Sequence, residues 1–306
     1  MINPDLNTTI PDWHTGLMQL TMNFAFVNKK IMSKQKVWLI TGASKGMGLE
    51  VTKAALAKGD KVIATSRNPE QVKNAGEESE NFLPLQLDIT KEAEVAGCID
   101  KGIEVFGRID VVINNAGYYL VGSMEEISDE ELRKTVDVNV FGMANVIRKV
   151  MPHLRRRQSG HIINISSNMG YIGYANTGSY NASKFAVIGL SEALAQEVKP
   201  FGIHVTVVAP GMFRTGFISD AHLATAEHKI DDYNTAAHVG MLHSFNGNQP
   251  GDPEKLAKVL MEIVRLQNPP VHLPLGTDSY QSIMDKRKEE VIELEQWKHL
   301  SLSTDF

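Results

Sequence analysis

Short apolar runs alternate with longer stretches of helical periodicity along most of the chain. The runs cover residues 37–41, 61–66, 83–88, 111–114, 161–166, 204–209 and 271–273. Strands separated by segments long enough for crossover helices are typical of a parallel sheet. Several runs contain consecutive apolar residues, which indicates strands covered on both faces. The pattern therefore predicts a single α/β domain, a doubly wound parallel sheet of about seven strands with helices on both faces.

Three segments depart from this alternation. Residues 211–250 form a long connection rich in Gly, His, Asn and Thr, and such connections are usually functional lids. Residues 277–299 are predicted to form an amphipathic C-terminal helix whose first residues, Thr277, Asp278 and Ser279, are of capping types. We expect residues 1–33 to be a poorly ordered tail before a domain of residues 34–306. Because Met32 directly precedes the first strand, we also hypothesise a translation start there.

Charge and cysteine content exclude several classes of protein. The chain has 306 residues and a net charge of −5, without a run of five like charges, which argues against a nucleic-acid partner or a polybasic membrane surface. No stretch reaches the ~18 apolar residues that a membrane-spanning helix needs. The single cysteine, Cys98, excludes an internal disulfide and fits a reducing compartment, so we expect a cytoplasmic protein. The ten histidines lack metal-ligand spacings, and no metal site is predicted.

A glycine-rich turn follows the first strand and opens a helix. Its candidate contacts are Gly42, Ser44, Lys45, Gly46, Met47 and Gly48. Glycines allow the backbone to approach a pyrophosphate, and the helix N-terminus supplies free N–H donors. A glycine cluster alone is also compatible with a simple tight turn. The strand before it and the helix after it favour a dinucleotide site.

The end of the second strand indicates which dinucleotide binds. A carboxylate there accepts hydrogen bonds from the ribose 2′-hydroxyl, whereas an arginine accommodates a 2′-phosphate. This strand ends at Arg67 without an acidic residue, and Lys45 offers a second cation. We therefore predict NADP rather than NAD. The alternative is that both cations are merely solvated.

Two residues further along the chain suggest proton transfer. Tyr180 and Lys184 are four positions apart and share one face of a helix. A neighbouring ammonium favours the phenolate and should lower the pKa of Tyr180, which would then exchange protons with a carbonyl or alcohol oxygen. Ser166 and Ser167 follow the fifth strand, where open α/β sheets bind ligands. Since Tyr-x-x-x-Lys also occurs by chance, it is informative only together with the glycine turn.

Together these motifs resemble the short-chain dehydrogenase/reductase family. The resemblance covers about residues 35–275 and includes Thr41-Gly42-x-x-x-Gly46-x-Gly48, Asp88, Asn114-Asn115-Ala116-Gly117, Asn139, Ser167, Tyr180-x-x-x-Lys184, and Pro210-Gly211 followed by Thr215. It implies a Rossmann fold and transfer of a hydride between a nicotinamide and a carbonyl or secondary alcohol. The final helix resembles that of a bacterial subgroup related to retinol- and hydroxysteroid-dehydrogenase-like reductases.

The resemblance also implies roles for individual residues. Tyr180 would be the acid/base, and Lys184 would lower its pKa and bind the nicotinamide ribose. Ser167 would position the substrate oxygen, and Asn139 would help to hold a water that relays protons. Besides the glycine turn and Arg67, the implied cofactor contacts are Asp88, Ile89, Asn115, Ala116, Gly117, Tyr180, Lys184, Pro210, Gly211 and Thr215.

The substrate and the partners are less well defined by the sequence. An apolar substrate wall is predicted from Tyr118, Met169, Tyr174, Phe213 and Phe217, although ordinary packing is an alternative for these residues. A dinucleotide-binding regulator or scaffold without turnover is a second hypothesis, against which the complete catalytic set argues. A nucleotide-sugar epimerase is a third, but its usual glycine spacing and larger C-terminal domain are missing. Family members commonly form homodimers or homotetramers through two helices, here near residues 128–151 and 179–199.

Overall fold

The computed structural model describes residues 35–73, 79–219 and 223–306. The expected tail at residues 1–33 and the hypothesised start at Met32 lie outside these ranges, as do residues 220–222 of the expected lid.

The described residues form a parallel sheet at the centre of the fold. The strands are β1 (Val37–Thr41), β2 (Lys61–Ser66), β3 (Phe82–Gln86), β4 (Val111–Asn114), β5 (Leu120–Val121), β6 (Gly160–Ile165), β7 (Ile203–Pro210), β8 (Ala224–Thr225) and β9 (His272–Leu275). Seven of them make one sheet in the order β3-β2-β1-β4-β6-β7-β9, with every neighbouring pair parallel. The order reverses between β1 and β4, where doubly wound sheets bind ligands. The predicted fold class is confirmed.

Helices connect these strands and cover both faces. They are α1 (Gly46–Ala57), α2 (Pro69–Lys73), α3 (Glu92–Phe106), α4 (Asp129–Val136), α5 (Met143–Arg157), α6 (Gly178–Val198), α7 (Thr235–Ser244), α8 (Pro253–Ile263) and α9 (Thr277–Leu302). A π-helical segment, Asp137–Gly142, joins α4 to α5. Such widened turns frequently occur at functional sites, and this one carries Asn139.

An apolar layer lies on each face of the sheet. Side chains alternate along a strand, so Trp38 and Ile40 of β1 face the layer shared with α1 and α8. Val37 and Leu39 face the opposite layer, which includes residues of α3, α5 and α6. Burying one large aliphatic side chain stabilises the fold by about 1.5–3 kcal/mol. The two layers together fix the positions of the strand ends.

The expected lid at residues 211–250 contains regular structure of its own. Strand β8 pairs with β5 in a separate two-stranded sheet. Helix α7 follows, and short 3₁₀ turns occur at Gly216–Ile218 and Asp231–Tyr233. Sequence periodicity did not reveal these elements because each is shorter than about three helical turns or one ordinary strand.

The first residues of α9 do not cap the helix, as the sequence predicted, but bind a neighbouring part of the domain. The helix begins at Thr277, but its N-cap position makes no side-chain capping bond. Asp278 instead accepts a hydrogen bond from the Met212 N–H at 2.7 Å, and Ser279 donates to the Ala209 carbonyl at 2.8 Å. These two bonds fasten α9 to the end of β7 and to the segment that follows it.

The apolar stripe predicted along α9 is largely uncovered in the single chain. Ile283 is buried, whereas Val291, Leu294 and Trp297 are 59%, 68% and 49% exposed. The helix therefore continues past the body of the domain with its apolar face open. Among the described residues, no helix combines the length and apolar character needed to cross a membrane.

Candidate active site

The glycine turn between β1 and α1 forms one wall of a crevice. Gly42 and Gly46 have φ values of +66° and +56°, which glycine adopts without strain. A Cβ on Gly42 would lie 2.9 Å from the Ala116 Cα, and one on Gly48 would collide with the Gly42 carbonyl oxygen. The backbone is therefore packed too closely for side chains. The N-cap of α1, Lys45, makes no side-chain capping bond, and free N–H groups at a helix N-terminus are what pyrophosphate binding requires.

A buried hydroxyl ties this turn to β4. Thr41 Oγ1 accepts hydrogen bonds from the N–H groups of Asn115 and Ala116, at 3.1 and 3.2 Å. The Asn115 side-chain amide donates to the carbonyls of Thr41 and Gly42, at 3.1 and 3.0 Å. Both amide hydrogens of Asn115 are thus used within the protein. In the structure the Asn115 amide holds the glycine turn in place, and the predicted contact of Asn115 with the cofactor remains a prediction.

Positive charge gathers at the ends of β1 and β2. Lys45 and Arg67 are both exposed, and burial together with the nearby Arg67 charge lowers the pKa of Lys45. Burial acts to raise the pKa of Asp88, but hydrogen bonds from Thr90 and the charges of Lys91 and Arg67 outweigh it and lower that pKa. The carboxylate of Asp88 is therefore ionised near Arg67. The pocket combines two cations with one anion that Thr90 already satisfies.

Tyr180 and Lys184 lie side by side on α6. They are 5% and 6% exposed, and the Lys184 Nζ lies 5.5 Å from the centre of the Tyr180 ring. Lys184 Nζ donates a 2.9 Å hydrogen bond to the Ile165 carbonyl, at the end of β6. A Cβ on Gly117 would lie 3.8 Å from this ammonium and 2.9 Å from Asn139 Oδ1. The residues predicted as catalytic are therefore brought to the end of β6 next to the crevice.

The pKa of Tyr180 moves in the direction opposite to the one predicted. Burial raises the pKa of this phenol, and a hydrogen bond with Ser167 only partly offsets that effect. Burial also lowers the pKa of Lys184, to about 8. The expectation that Lys184 lowers the phenol pKa is wrong for this arrangement, because the ammonium faces the ring and the Ile165 carbonyl. Desolvation, which disfavours both charged forms, is the dominant effect.

The side chains around this pair are held by local hydrogen bonds. Ser167 Oγ donates to Asn168 Oδ1 at 3.1 Å and accepts from the Met169 N–H at 3.2 Å. Ser166 Oγ donates to the Lys184 carbonyl, which makes it a structural neighbour.

The amide of Asn139 is fully engaged within the protein. Its Oδ1 accepts from the Tyr118 N–H at 3.1 Å, while Nδ2 donates to the Tyr118 carbonyl and to Ser183 Oγ, both at 3.0 Å. This side chain therefore joins the segment after β4 to α6. The predicted role of Asn139 in holding a water remains a prediction.

An apolar cluster covers the phenol. The Tyr119 ring centre lies 4.4 Å from that of Tyr180 and 6.4 Å from that of Phe217. The cluster, which we call the phenol cluster, comprises Tyr119, Val121, Met169, Tyr180, Met212, Phe217, Ile218, Leu223, Val239 and Leu242. Two members of the predicted substrate wall, Met169 and Phe217, belong to it.

The other three predicted wall residues lie elsewhere. The Tyr118 hydroxyl is 3.2 Å from Thr135 Oγ1, and its ring packs in a separate cluster. Phe213 packs in the apolar layer of α1 and α8, and Tyr174 is exposed. Neighbouring residues of an extended segment point to opposite sides, so Tyr119 faces the phenol and Tyr118 cannot. That alternation was the signal that could have identified Tyr119 from the sequence.

The remaining predicted cofactor residues surround the same crevice. A Cβ on Gly46 would lie 3.3 Å from the Thr215 Cβ, so the glycine turn meets the segment after β7. Ser44 is half-buried in the turn, Met47 packs into the layer below α1, Ile89 is buried, and Pro210 ends β7. Gly211 lies against the Asp278 carboxylate. Asp278 was missed as a positioning residue because it lies far from the motifs in sequence.

The family of this chain is shown by its similarity to known proteins. A family model described as short chain dehydrogenase matches residues 36–224. The chain belongs to the short-chain dehydrogenase/reductase family. This dehydrogenase/reductase is 36% identical to Oxidoreductase BOA17 of Botryotinia fuckeliana over 88% of its own length and 99% of that protein. It is 37% identical to 3-ketodihydrosphingosine reductase of Bacteroides thetaiotaomicron, over 79% and 88% of the two chains.

Solved structures support the same assignment. A short-chain dehydrogenase from Streptomyces avermitilis superposes with a TM-score of 0.83 at 35% identity, covering 89% of this chain and all of that one (100%). ElxO with NADP bound gives a TM-score of 0.65 at 28% identity, over 79% and 97% of the chains. A 3-ketoacyl-(acyl-carrier-protein) reductase from Brucella melitensis with NADH gives 0.66 at 26% identity, over 78% and 96%. The protein is therefore a nicotinamide-dependent oxidoreductase acting on small molecules, and its structural relatives use either dinucleotide.

Proposed function

We propose that this enzyme reduces carbonyl compounds with NADPH, and oxidises the corresponding secondary alcohols, with Tyr180 as the general acid/base. The observation that carries the proposal is the buried pairing of Tyr180 with Lys184 at the end of β6, with Ser167 two residues beyond that strand. This pair lies beside Gly117 and the crevice of the glycine turn.

The residues of the crevice fit a dinucleotide. Side chains are excluded from the turn at Gly42 and Gly48, which leaves its backbone free to hold the pyrophosphate. Lys45 and Arg67 would hold the 2′-phosphate of NADP, because together they carry more charge than Asp88 neutralises. The bound nicotinamide supplies or accepts the hydride.

Side chains of the protein supply the proton that the carbonyl oxygen takes up during reduction. Because burial raises the pKa of Tyr180, the phenol is protonated at neutral pH and ready to donate to a carbonyl oxygen. The Ser167 hydroxyl lies next to the phenol and would hydrogen-bond the same oxygen. The Ile165 carbonyl and α6 fix the ammonium of Lys184 beside the ring.

The lining suggests an apolar substrate. The phenol cluster consists of apolar and aromatic side chains, and sites lined by such residues favour medium-sized apolar ligands with few polar groups. The name of the Bacteroides relative, 3-ketodihydrosphingosine reductase, agrees with a ketone attached to an apolar body. We propose such a ketone, an aldehyde or a secondary alcohol as the substrate.

We also propose that the enzyme is a cytoplasmic homo-oligomer. Phe141 of the π segment and Phe185 and Leu190 of α6 are exposed apolar side chains on the two helical stretches expected to associate. The open apolar face of α9 would be covered in the same assembly. Sedimentation velocity of the full chain tests this, and a monomer at micromolar concentration would contradict it. Cell fractionation tests the location, which rests on the buried unpaired thiol of Cys98.

The activity is tested with a panel of ketones, aldehydes and alcohols, followed through the absorbance of the reduced nicotinamide with NADPH and NADH separately. We expect turnover of apolar ketones with NADPH preferred. A clear preference for NADH would refute the cofactor choice. Tight binding of NADPH without turnover of any compound would favour the regulator hypothesis instead.

A further inference from the structure

A covering segment, residues 223–250, is fastened to the body of the domain by a buried carboxylate. Glu126 is 2% exposed and follows the short strand β5. It accepts hydrogen bonds from Thr235 Oγ1 at 2.6 Å, from the Ile230 N–H at 3.1 Å and from the Ser123 N–H at 2.8 Å. Burial acts to raise the pKa of Glu126, but these bonds outweigh it and lower the pKa to about 2. The carboxylate is therefore ionised whenever the protein is folded near neutral pH.

Two further carboxylates hold the same segment. The Tyr233 hydroxyl donates to Glu125 at 2.6 Å, and the Glu227 N–H donates to Glu131 at 3.0 Å. Hydrogen bonds to charged acceptors are stronger than those between neutral groups. Hydrogen bonds thus attach the covering segment to the domain at several residues. One of these residues, Thr235, is the first residue of α7.

Helix α7 presents one face to the domain. Its inward positions, Thr235, His238, Val239 and Leu242, follow the spacing of a single helix face. Thr235 is bound to Glu126, while Val239 and Leu242 pack in the phenol cluster with Tyr180. His238 therefore lies between the carboxylate anchor and the apolar wall of the site.

His238 brings an unused polar atom to this face. Its Nε2 is buried and has no hydrogen-bond partner among the described residues. Burial lowers the pKa of His238, so the imidazole is neutral at neutral pH and can donate or accept a hydrogen bond. Buried polar atoms are almost always paired in folded proteins, so the unpaired Nε2, on the helix that packs against the phenol cluster, leaves a position for a hydrogen-bonding ligand atom.

We infer that His238 binds the substrate, and that the substrate is an apolar carbonyl compound with a second uncharged oxygen, a hydroxyl or carbonyl, away from the reacting carbon. The inference rests on the proposed reductase function. In this arrangement Tyr180 and Ser167 would hydrogen-bond the reacting carbonyl oxygen. The phenol cluster would contact the apolar body of the substrate, and His238 would hydrogen-bond the second oxygen. The phenol cluster consists of apolar and aromatic side chains, and the ammonium next to it, that of Lys184, already donates to the Ile165 carbonyl, so we assign an uncharged second group.

The test compares matched ketones in wild type and variants. Methyl ketones with a hydroxyl at increasing distance along the chain are paired with the same ketones lacking it. We expect wild type to prefer the best hydroxyketone by about tenfold in kcat/KM, the effect of one hydrogen bond. His238→Phe should abolish this preference, so that the two ketones of each pair are reduced with equal kcat/KM. His238→Gln, which keeps a polar end, should retain part of the preference.

Two further variants separate a local role from a general one. His228 is an exposed histidine of the same covering segment, so His228→Phe is the matched control and should change nothing. Glu126→Gln keeps His238 but weakens the hydrogen bonds that hold the start of α7 to the domain. It should therefore raise KM for the hydroxyketone more than for the plain ketone.

The outcomes distinguish this inference from the reductase proposal. An unchanged hydroxyketone preference in His238→Phe, or no preference in wild type at any chain position, would overturn the role of His238 while leaving the reductase standing. If wild type reduces no ketone, the reductase proposal fails. Calorimetric titration of the same ketone pairs into the NADP-bound protein then tests the role of His238 without turnover. Tighter binding of the hydroxyketone than of the plain ketone by wild type, lost in His238→Phe, supports that role. Equal affinities of wild type for the two ketones refute it.

Discussion

Replacing Thr41 with valine tests whether a single hydroxyl organises the cofactor crevice. Thr41 is 1% exposed, and its Oγ1 accepts from two backbone N–H groups at 3.1 and 3.2 Å while donating to the Ile113 carbonyl at 3.3 Å. Valine has nearly the same shape but offers no acceptor. The substitution therefore leaves the N–H groups of Asn115 and Ala116 without their partner.

The magnitude follows from these unpaired donors. A buried donor left unsatisfied costs about 1–3 kcal/mol, and both residues here are half-buried, so we take the lower half of the range for each. The sum is about 3 kcal/mol of unfolding free energy. For a domain of this size it corresponds to a melting temperature lower by about 5 °C. Thr41→Ser keeps the hydroxyl and loses one buried methyl group, which costs about 1 kcal/mol.

The assay is denaturant unfolding of both variants without dinucleotide, together with a fluorescence titration of NADPH. We expect Thr41→Val to lose about 2 kcal/mol more than Thr41→Ser and to bind NADPH more weakly, because the Asn115 amide that positions Gly42 shifts with its backbone. The reasoning is refuted if Thr41→Val is as stable as Thr41→Ser, since the hydroxyl would then have no organising role.

Three further predictions address charge and protons. Tyr180→Phe should lower kcat about 10²–10⁴-fold while NADPH affinity stays within twofold, because only the proton donor is lost; retained turnover would exclude the phenol as the acid. Arg67→Ala should reduce the preference for NADPH over NADH about 10–100-fold, because a charge-assisted hydrogen bond to the 2′-phosphate is lost. Lys101 is exposed, and the control Lys101→Ala should leave the ratio of kcat/KM for NADPH and NADH unchanged. Burial and the nearby His204 lower the pKa of His161 from 6.5 to about 3. The neutral ring therefore contributes its full stabilisation above pH 6.5. As the pH falls from 6.5 towards 3, the free energy of unfolding decreases by up to roughly 1.4 kcal/mol per pH unit. Unfolding free energies of wild type and His161→Gln should therefore converge across that interval, and a constant difference would contradict the argument.

The sequence determined the fold and the principal motifs. Consecutive apolar residues such as Val111, Val112 and Ile113 indicate a strand buried on both faces, and the connections between such strands are long enough for crossover helices. The glycine turn and the Tyr180–Lys184 pair are local patterns whose geometry follows from a turn and from one helical repeat. Short-range chemistry of this kind needs no knowledge of distant residues.

Only the tertiary structure decided what surrounds these motifs. The direction of the Tyr180 pKa depends on how much protein covers the phenol, and that cover comes from Tyr119, Phe217 and α7, which are distant in sequence. Glu126 gives no signal along the chain, because its partners Ile230 and Thr235 lie more than a hundred positions away. Periodicity records which side of its own element a residue occupies, whereas burial, electrostatics and unpaired polar atoms depend on what packs against that side. For this reason the sequence identified the oxidoreductase family, and the folded chain showed which groups surround Tyr180.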